Sequence, residues 1–206
     1  MEKGDLHRWL HELPVGTMDD ALEPCCVDTS DAKEDNHQSV SDWSVRHRMI
    51  LGIARGLAFL HQGWAGSSGR PIVHGHLVPT NVLLGDDLEP RISDFMHHGA
   101  GSSDETPESD VYSFGVLVFE LVTGQAKWDE ATVAWARGVV RNKKGENIVD
   151  ARLREDAGGD TAPEVEREAA ECLRVGFLCT APSPEKRPTM QQVVGVLKDI
   201  RPSPAD

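Results

Sequence analysis

The side chains best suited to chemistry in this chain are histidines. Four of the nine are grouped: His74 and His76 form a His-x-His pair, His97 and His98 are neighbours, and Asp94 lies between the pairs. An imidazole takes up and releases protons near neutral pH, so His76 could act as a base. His-x-His and His-His pairs can also ligate zinc or copper. No C-x-x-C or H-E-x-x-H spacing accompanies them, which weighs against a transition-metal site. The cysteines add no support. Cys25 and Cys26 are adjacent, and Cys172 and Cys179 stand seven apart on an expected helix. That is about 10 Å along its axis, too far for a disulfide, so free thiols are expected.

The elements that must position these groups are mostly helical. Leu6, Leu10 and Leu13 predict a short helix over 3–13. Val45, Met49, Ile50, Ile53, Ala54, Leu57 and Leu60 form one apolar stripe over 44–61. Short strands are expected at Pro71–Val73, Val82–Leu84 and Arg91–Ile92, with a turn at Gly85-Asp86-Asp87. Asp110 to Thr123 is apolar nearly all round and stops at Gly124, which favours a buried helix over a strand. Further helices are expected near 131–142, 164–180 and 188–200, the last with Pro188 in its first turn. The fold class expected is α+β, mostly α-helical, with a few short strands.

Residues 14–42 are rich in Asp, Glu, Ser, Thr and Pro, and they read as a solvated, disordered insertion within one domain spanning 1–206. The net charge of −13 argues against nucleic acid and anionic membrane as partners. The most apolar run, Val116 to Val122, is short and interrupted by Glu120, so no direct membrane insertion is expected. The N-terminus does not resemble a signal peptide.

Five blocks, in order, resemble the C-terminal lobe of protein kinases. Met1-Glu2-Lys3-Gly4-Asp5-Leu6 is similar to the stretch after the hinge between kinase lobes, and Gly56-Leu57-Ala58-Phe59-Leu60-His61 to the end of the long helix before the catalytic loop. Ile92-Ser93-Asp94-Phe95 resembles the start of the D-F-G segment. Ser109-Asp110-Val111-Tyr112-Ser113-Phe114-Gly115-Val116 and Lys186-Arg187-Pro188-Thr189-Met190 resemble two late signatures. Between them His74-Gly75-His76-Leu77-Val78-Pro79-Thr80-Asn81 resembles the catalytic loop. With Gly176-Phe177-Leu178-Cys179, the wording is most similar to plant leucine-rich-repeat receptor-like kinases. The H-G-x-x-x-P-x-N spacing also resembles small-molecule phosphotransferases, but the two late signatures belong to protein kinases.

The resemblance implies a loop of type H-R-D-L-K-P-x-N, in which Asp accepts the substrate proton, Lys steadies the transferring phosphate and Asn holds magnesium. Here His76 stands at the Asp position, Val78 at the Lys position and Gly75 at the Arg position. Asn81 and Asp94 are the retained magnesium ligands, and Leu83 matches the residue beneath the adenine ring. Two such ligands bind magnesium weakly without phosphate oxygens. Met96 follows Asp94-Phe95 where the family has Gly, and 96–109 contains no recognisable A-P-E motif. The family's Gly-rich loop and Lys–Glu pair belong to a smaller lobe that these residues do not include.

Losses in binding, positioning and proton transfer together predict an inactive, pseudokinase-type lobe with no tightly bound ATP or magnesium. Its expected partner is a protein, such as another kinase or a receptor. Its expected place is the cytoplasmic side, where the family's plasma-membrane receptors keep their kinase domains. The alternatives are an active serine/threonine kinase completed by a small lobe, and a truncated product without a role. By the same resemblance His74 and Phe95 stack, Asp110 binds catalytic-loop backbone, and Arg187 needs a substitute for the A-P-E glutamate, with Glu108 the candidate. Leu83 and its neighbours are expected to face solvent.

Overall fold

The computed structural model describes residues 3–12, 40–63, 70–95 and 106–200. Among the described residues six α-helices and one small hairpin carry the fold. Helix α1 (Leu6–His11) is capped by Asp5, whose carboxylate accepts from the Arg8 amide at 3.0 Å. Helix α2 (Trp43–Gln62) is capped by Asp42 and buries Met49, Ile50, Ile53 and Leu57 on the expected stripe. Residues 13–39, which hold most of the acidic segment, lie outside the described residues. Val40 and Ser41 are buried, and Asp42 belongs to the cap of α2.

Strand β1 (Val82–Leu84) pairs antiparallel with β2 (Pro90–Ile92), Leu83 opposite Arg91. Pro71–Val73, expected as a strand, is irregular. The Ile72 amide donates to the Leu60 carbonyl at the end of α2, so this stretch lies against a helix end and not in a ladder.

Helix α3 (Pro107–Thr123) begins one turn before the expected Asp110. A reciprocal cap between Thr106 and Ser109 opens it, with Pro107 in the first turn. Gly124 ends it in the left-handed region (φ +69°), where a side chain would collide with Asp150. Helix α4 (Glu130–Arg141) follows. Helix α5 (Ala151–Cys179) begins well before the expected 164 and is broken at Gly158 (φ +71°). Helix α6 (Met190–Asp199) is capped by Thr189, so Pro188 precedes the cap instead of occupying the first turn.

Helix α3 is the central post. It packs on α5 and α2, while α2 also covers α6 and β2. The core collects Phe114, Phe119 and Leu121 of α3, Leu173 and Cys179 of α5, Leu197 of α6, and Val82 and Leu84 of β1. The mostly helical α+β architecture is the one expected. Among the described residues no helix is long and apolar enough to cross a membrane. Cys172 and Cys179 are free and buried; Cys25 and Cys26 lie outside the described residues.

Candidate functional site: a catalytic-type loop

The loop at 74–81 is held at both ends by hydrogen bonds to its own backbone. Asp110, in the first turn of α3, is 1% exposed. Its carboxylate accepts from the His74 amide at 2.7 Å and the Gly75 amide at 2.9 Å. The His61 ring, at the end of α2, lies 2.9 Å from the same carboxylate. A buried carboxylate needs such donors to offset its lost hydration, and here the loop and the end of α2 supply them. Gly75 takes φ +79°, a turn that L side chains rarely adopt.

At the other end Val78 leads into a 3₁₀ turn, Pro79–Asn81. The buried Asn81 donates its side-chain amide to the His76 carbonyl at 3.0 Å, tying the loop across itself. The Asn81 carbonyl accepts from both the amide and the hydroxyl of Ser93, at 2.8 and 3.0 Å, which fastens the loop to the segment after β2.

The residues at chemical positions lie as follows. His76 is exposed, and its amide donates to His74 Nδ1 at 3.3 Å. Val78 is half-buried and lines an apolar cavity of about 280 Å³ with Leu77, Leu117 and Trp128. Asp94 is exposed, with φ +59°. Leu83, expected to face solvent, is half-buried, and its backbone pairs with that of Asp5 on the edge of β1. His74 is buried, and burial holds its ring below the ordinary imidazole pKa despite the opposing charge of Asp110. Its ring centroid is 6.5 Å from that of Phe95, tilted at 57°, and Phe95 remains 39% exposed, so this contact is looser than a stack. His97 and His98 lie outside the described residues.

Arg187 does not pair with the Glu108 carboxylate. It donates to the Glu108 backbone carbonyl at 2.8 Å and the Ala181 carbonyl at 2.9 Å, and it sits 4.9 Å over the Tyr112 ring. Backbone oxygens near the start of α3 and the end of α5 take the place of a carboxylate.

These residues do not by themselves fit a magnesium–nucleotide complex. Asn81 commits its Nδ2 to the loop, which leaves Oδ1 as its only side-chain atom for a hard cation, and Asp94 stands on an exposed segment. Val78 supplies an apolar wall where a phosphate would need a cation. Among the described residues no three His, Cys, Asp or Glu side chains gather as a metal site.

Two polar clusters gave no sequence signal. Arg46, fully buried, meets Asp150 at 2.8 Å and donates to the Leu121 carbonyl at 2.9 Å, while Arg152 grips the same Asp150 at 2.7 Å. Burial brings Arg46 down to about 10 against the opposing pull of Asp150. His11 lies 2.8 Å from Glu120, whose carboxyl burial pushes up to about 7. Arg46 and Asp150, and His11 and Glu120, stand about a hundred residues apart, so no local spacing could have revealed these pairs; only Arg152 is a sequence neighbour of Asp150.

A helical body built on one central post, carrying a small hairpin and a loop clamped by the first turn of that post, defines the large lobe of a protein kinase fold. A solved pseudokinase domain, that of BIR2, an immune regulator of the RLK/Pelle family, shares this fold. Its TM-score is 0.67 at 24% identity, over 97% of this chain and 57% of that one. No protein-family model matches the chain. A calmodulin-binding receptor kinase of Arabidopsis thaliana is 48% identical over 207 residues, 98% of this chain and 29% of its own length. The Arabidopsis thaliana protein named "Probably inactive leucine-rich repeat receptor-like protein kinase" is 42% identical over 188 residues, 82% of this chain and 22% of its own. The chain belongs to the plant receptor-like kinase family and corresponds to the kinase C-terminal lobe. It spans less than a third of either relative.

Proposed function

We propose that this lobe has a non-catalytic role, binding a protein in phosphorylation signalling on the cytoplasmic side of a membrane receptor system. One observation carries the reading. The loop's architectural bonds are complete, from Asp110 to His74 and Gly75 and from Asn81 to His76, while the positions that would move a proton and hold a phosphate carry His76 and Val78. Imidazole at position 76 brings no negative charge and a larger ring than a carboxylate, and a missing base typically costs ~10²–10⁴ in rate. Val78 removes a cation from chemistry that depends on positioning and electrostatics. The expected partner is a kinase or receptor of the same signalling system.

The test is affinity capture from plant tissue, followed by reconstitution of the captured kinase or receptor with the purified chain. Saturable binding that Asp94→Ala leaves unchanged is expected. Failure of any captured kinase or receptor to bind on reconstitution, or binding that requires Asp94 and magnesium–ATP, overturns the reading.

A further inference from the structure

A cavity of about 610 Å³ opens between the first turns of α3, helix α4 and the segment joining α5 to α6, across Tyr112 from the cavity that Val78 lines. Arg137, Arg141 and Arg187 converge on it, with Tyr112, Thr180 and Glu130. Two of the guanidiniums are fixed in place. Arg137 donates to the Phe177 carbonyl and, at 2.8 Å, to the Thr180 hydroxyl, and it lies 4.2 Å over the Phe177 ring. Arg187 is held by the Glu108 and Ala181 carbonyls and the Tyr112 ring. Arg141 reaches over the same Phe177 ring at 6.0 Å and is exposed.

Among the described residues none of the three has a carboxylate partner, whereas Arg46, Arg152, Arg154 and Arg174 each meet one. The described hydrogen bonds of Arg137 use only Nη1, and those of Arg187 use Nε and Nη1, so N–H groups remain to donate. Burial holds Arg137 below its ordinary value, and its neighbours Arg141 and Arg187 push it the same way. Like charges so placed repel unless an anion joins them.

We infer that this groove binds a phosphorylated side chain of a partner peptide. Three guanidiniums against the single carboxylate of Glu130 leave two positive charges in excess, which match a phosphate monoester near neutral pH. Its three oxygens accept from guanidinium forks, the geometry arginine serves best. The cavity is far larger than a phosphate ion, and Val133, Pro182 and Tyr112 give it apolar walls suited to the residues beside the phosphate. No residue of the loop at 74–81 lines this groove, and the inference holds whether or not that loop is inert.

The test is fluorescence anisotropy with a labelled phosphothreonine peptide flanked by Ala and Gly, titrated with the whole chain. Saturable binding that weakens with salt is expected, with the unphosphorylated peptide weaker by roughly tenfold or more. Arg141→Glu, at a side chain that makes no described hydrogen bond, should weaken binding by a similar factor with an unchanged melting temperature. Arg55→Glu, the same charge change on exposed α2 surface, should leave binding intact. Inorganic phosphate should displace the peptide only at concentrations at least about tenfold higher than the phosphopeptide itself needs. No binding, equal binding of the unphosphorylated peptide, equal effects of the two variants, or equal potency of inorganic phosphate each overturns the inference.

Discussion

Asp110 does for this loop what a catalytic residue does for an active loop: it fixes the geometry, but without touching a substrate. Its buried carboxylate satisfies two backbone amides and faces the His61 ring. Removing it leaves the buried His74 N–H and the partly buried Gly75 N–H without that acceptor, at about 1–3 kcal/mol for the first and less for the second. Asp110→Ala should therefore lower stability by about 3 kcal/mol, read as a reduced urea midpoint with an unchanged slope; an unchanged midpoint would contradict the assignment. The position was legible in the sequence because it sits in a contiguous block, Ser109 to Gly115. His61, which completes the carboxylate's environment, was not, because it enters from another helix 49 residues earlier. Arg187 shows the same limit. Its need for a new partner was readable, but its choice of backbone oxygens over Glu108's carboxylate depends on how α3 and the α5–α6 connection meet.

Among the elements, the crossing of α3 and α5 sets the frame on which Asp110 stands. It is close because both helices present glycine. A Cβ on Gly115 would lie 2.7 Å from Thr180 Cγ2, 2.8 Å from Cys179 Cβ and 3.0 Å from the Gly176 carbonyl. One of these contacts is backbone, so relief requires the helices to part. Gly115→Ala should destabilise the lobe by about 1–3 kcal/mol despite the better helix propensity of alanine, measured by thermal or chemical denaturation. A stabilised variant would show that the crossing is less tight than described. Apolar periodicity made α2 and α3 legible, since both bury long stripes. It failed for the early part of α5, where Arg, Glu, Asp and Gly leave little stripe to read. It also failed at Pro71–Val73, where apolar residues line a loop against a helix end.

Across the whole molecule, the His11–Glu120 contact ties α1 to α3, and the burial of its two side chains makes stability depend on pH. Burial raises Glu120 from 4.5 to about 7, so the folded chain binds a proton that the unfolded chain releases. That proton's contribution is complete below about 4.5 and is lost as pH rises through about 7, with an upper bound of ~3 kcal/mol. His11, held low chiefly by burial, acts in the opposite sense, costing stability as pH falls below 6.5. Asp150, kept low by Arg152 and Arg46 in spite of burial, acts only below 3.8. Denaturation across pH 4.5 to 8 should thus show a fall in wild type, relative to Glu120→Gln, as pH rises; parallel profiles would contradict it.

The same whole-molecule view sets the central claim, that a kinase lobe has kept its loop as architecture after its chemistry was exchanged. The most direct measurement is phosphotransfer from labelled ATP with magnesium, using the purified chain with and without Asp94→Ala. No transfer above background is expected from either protein. Transfer by the wild type that disappears in Asp94→Ala would contradict the claim and make this chain an enzyme.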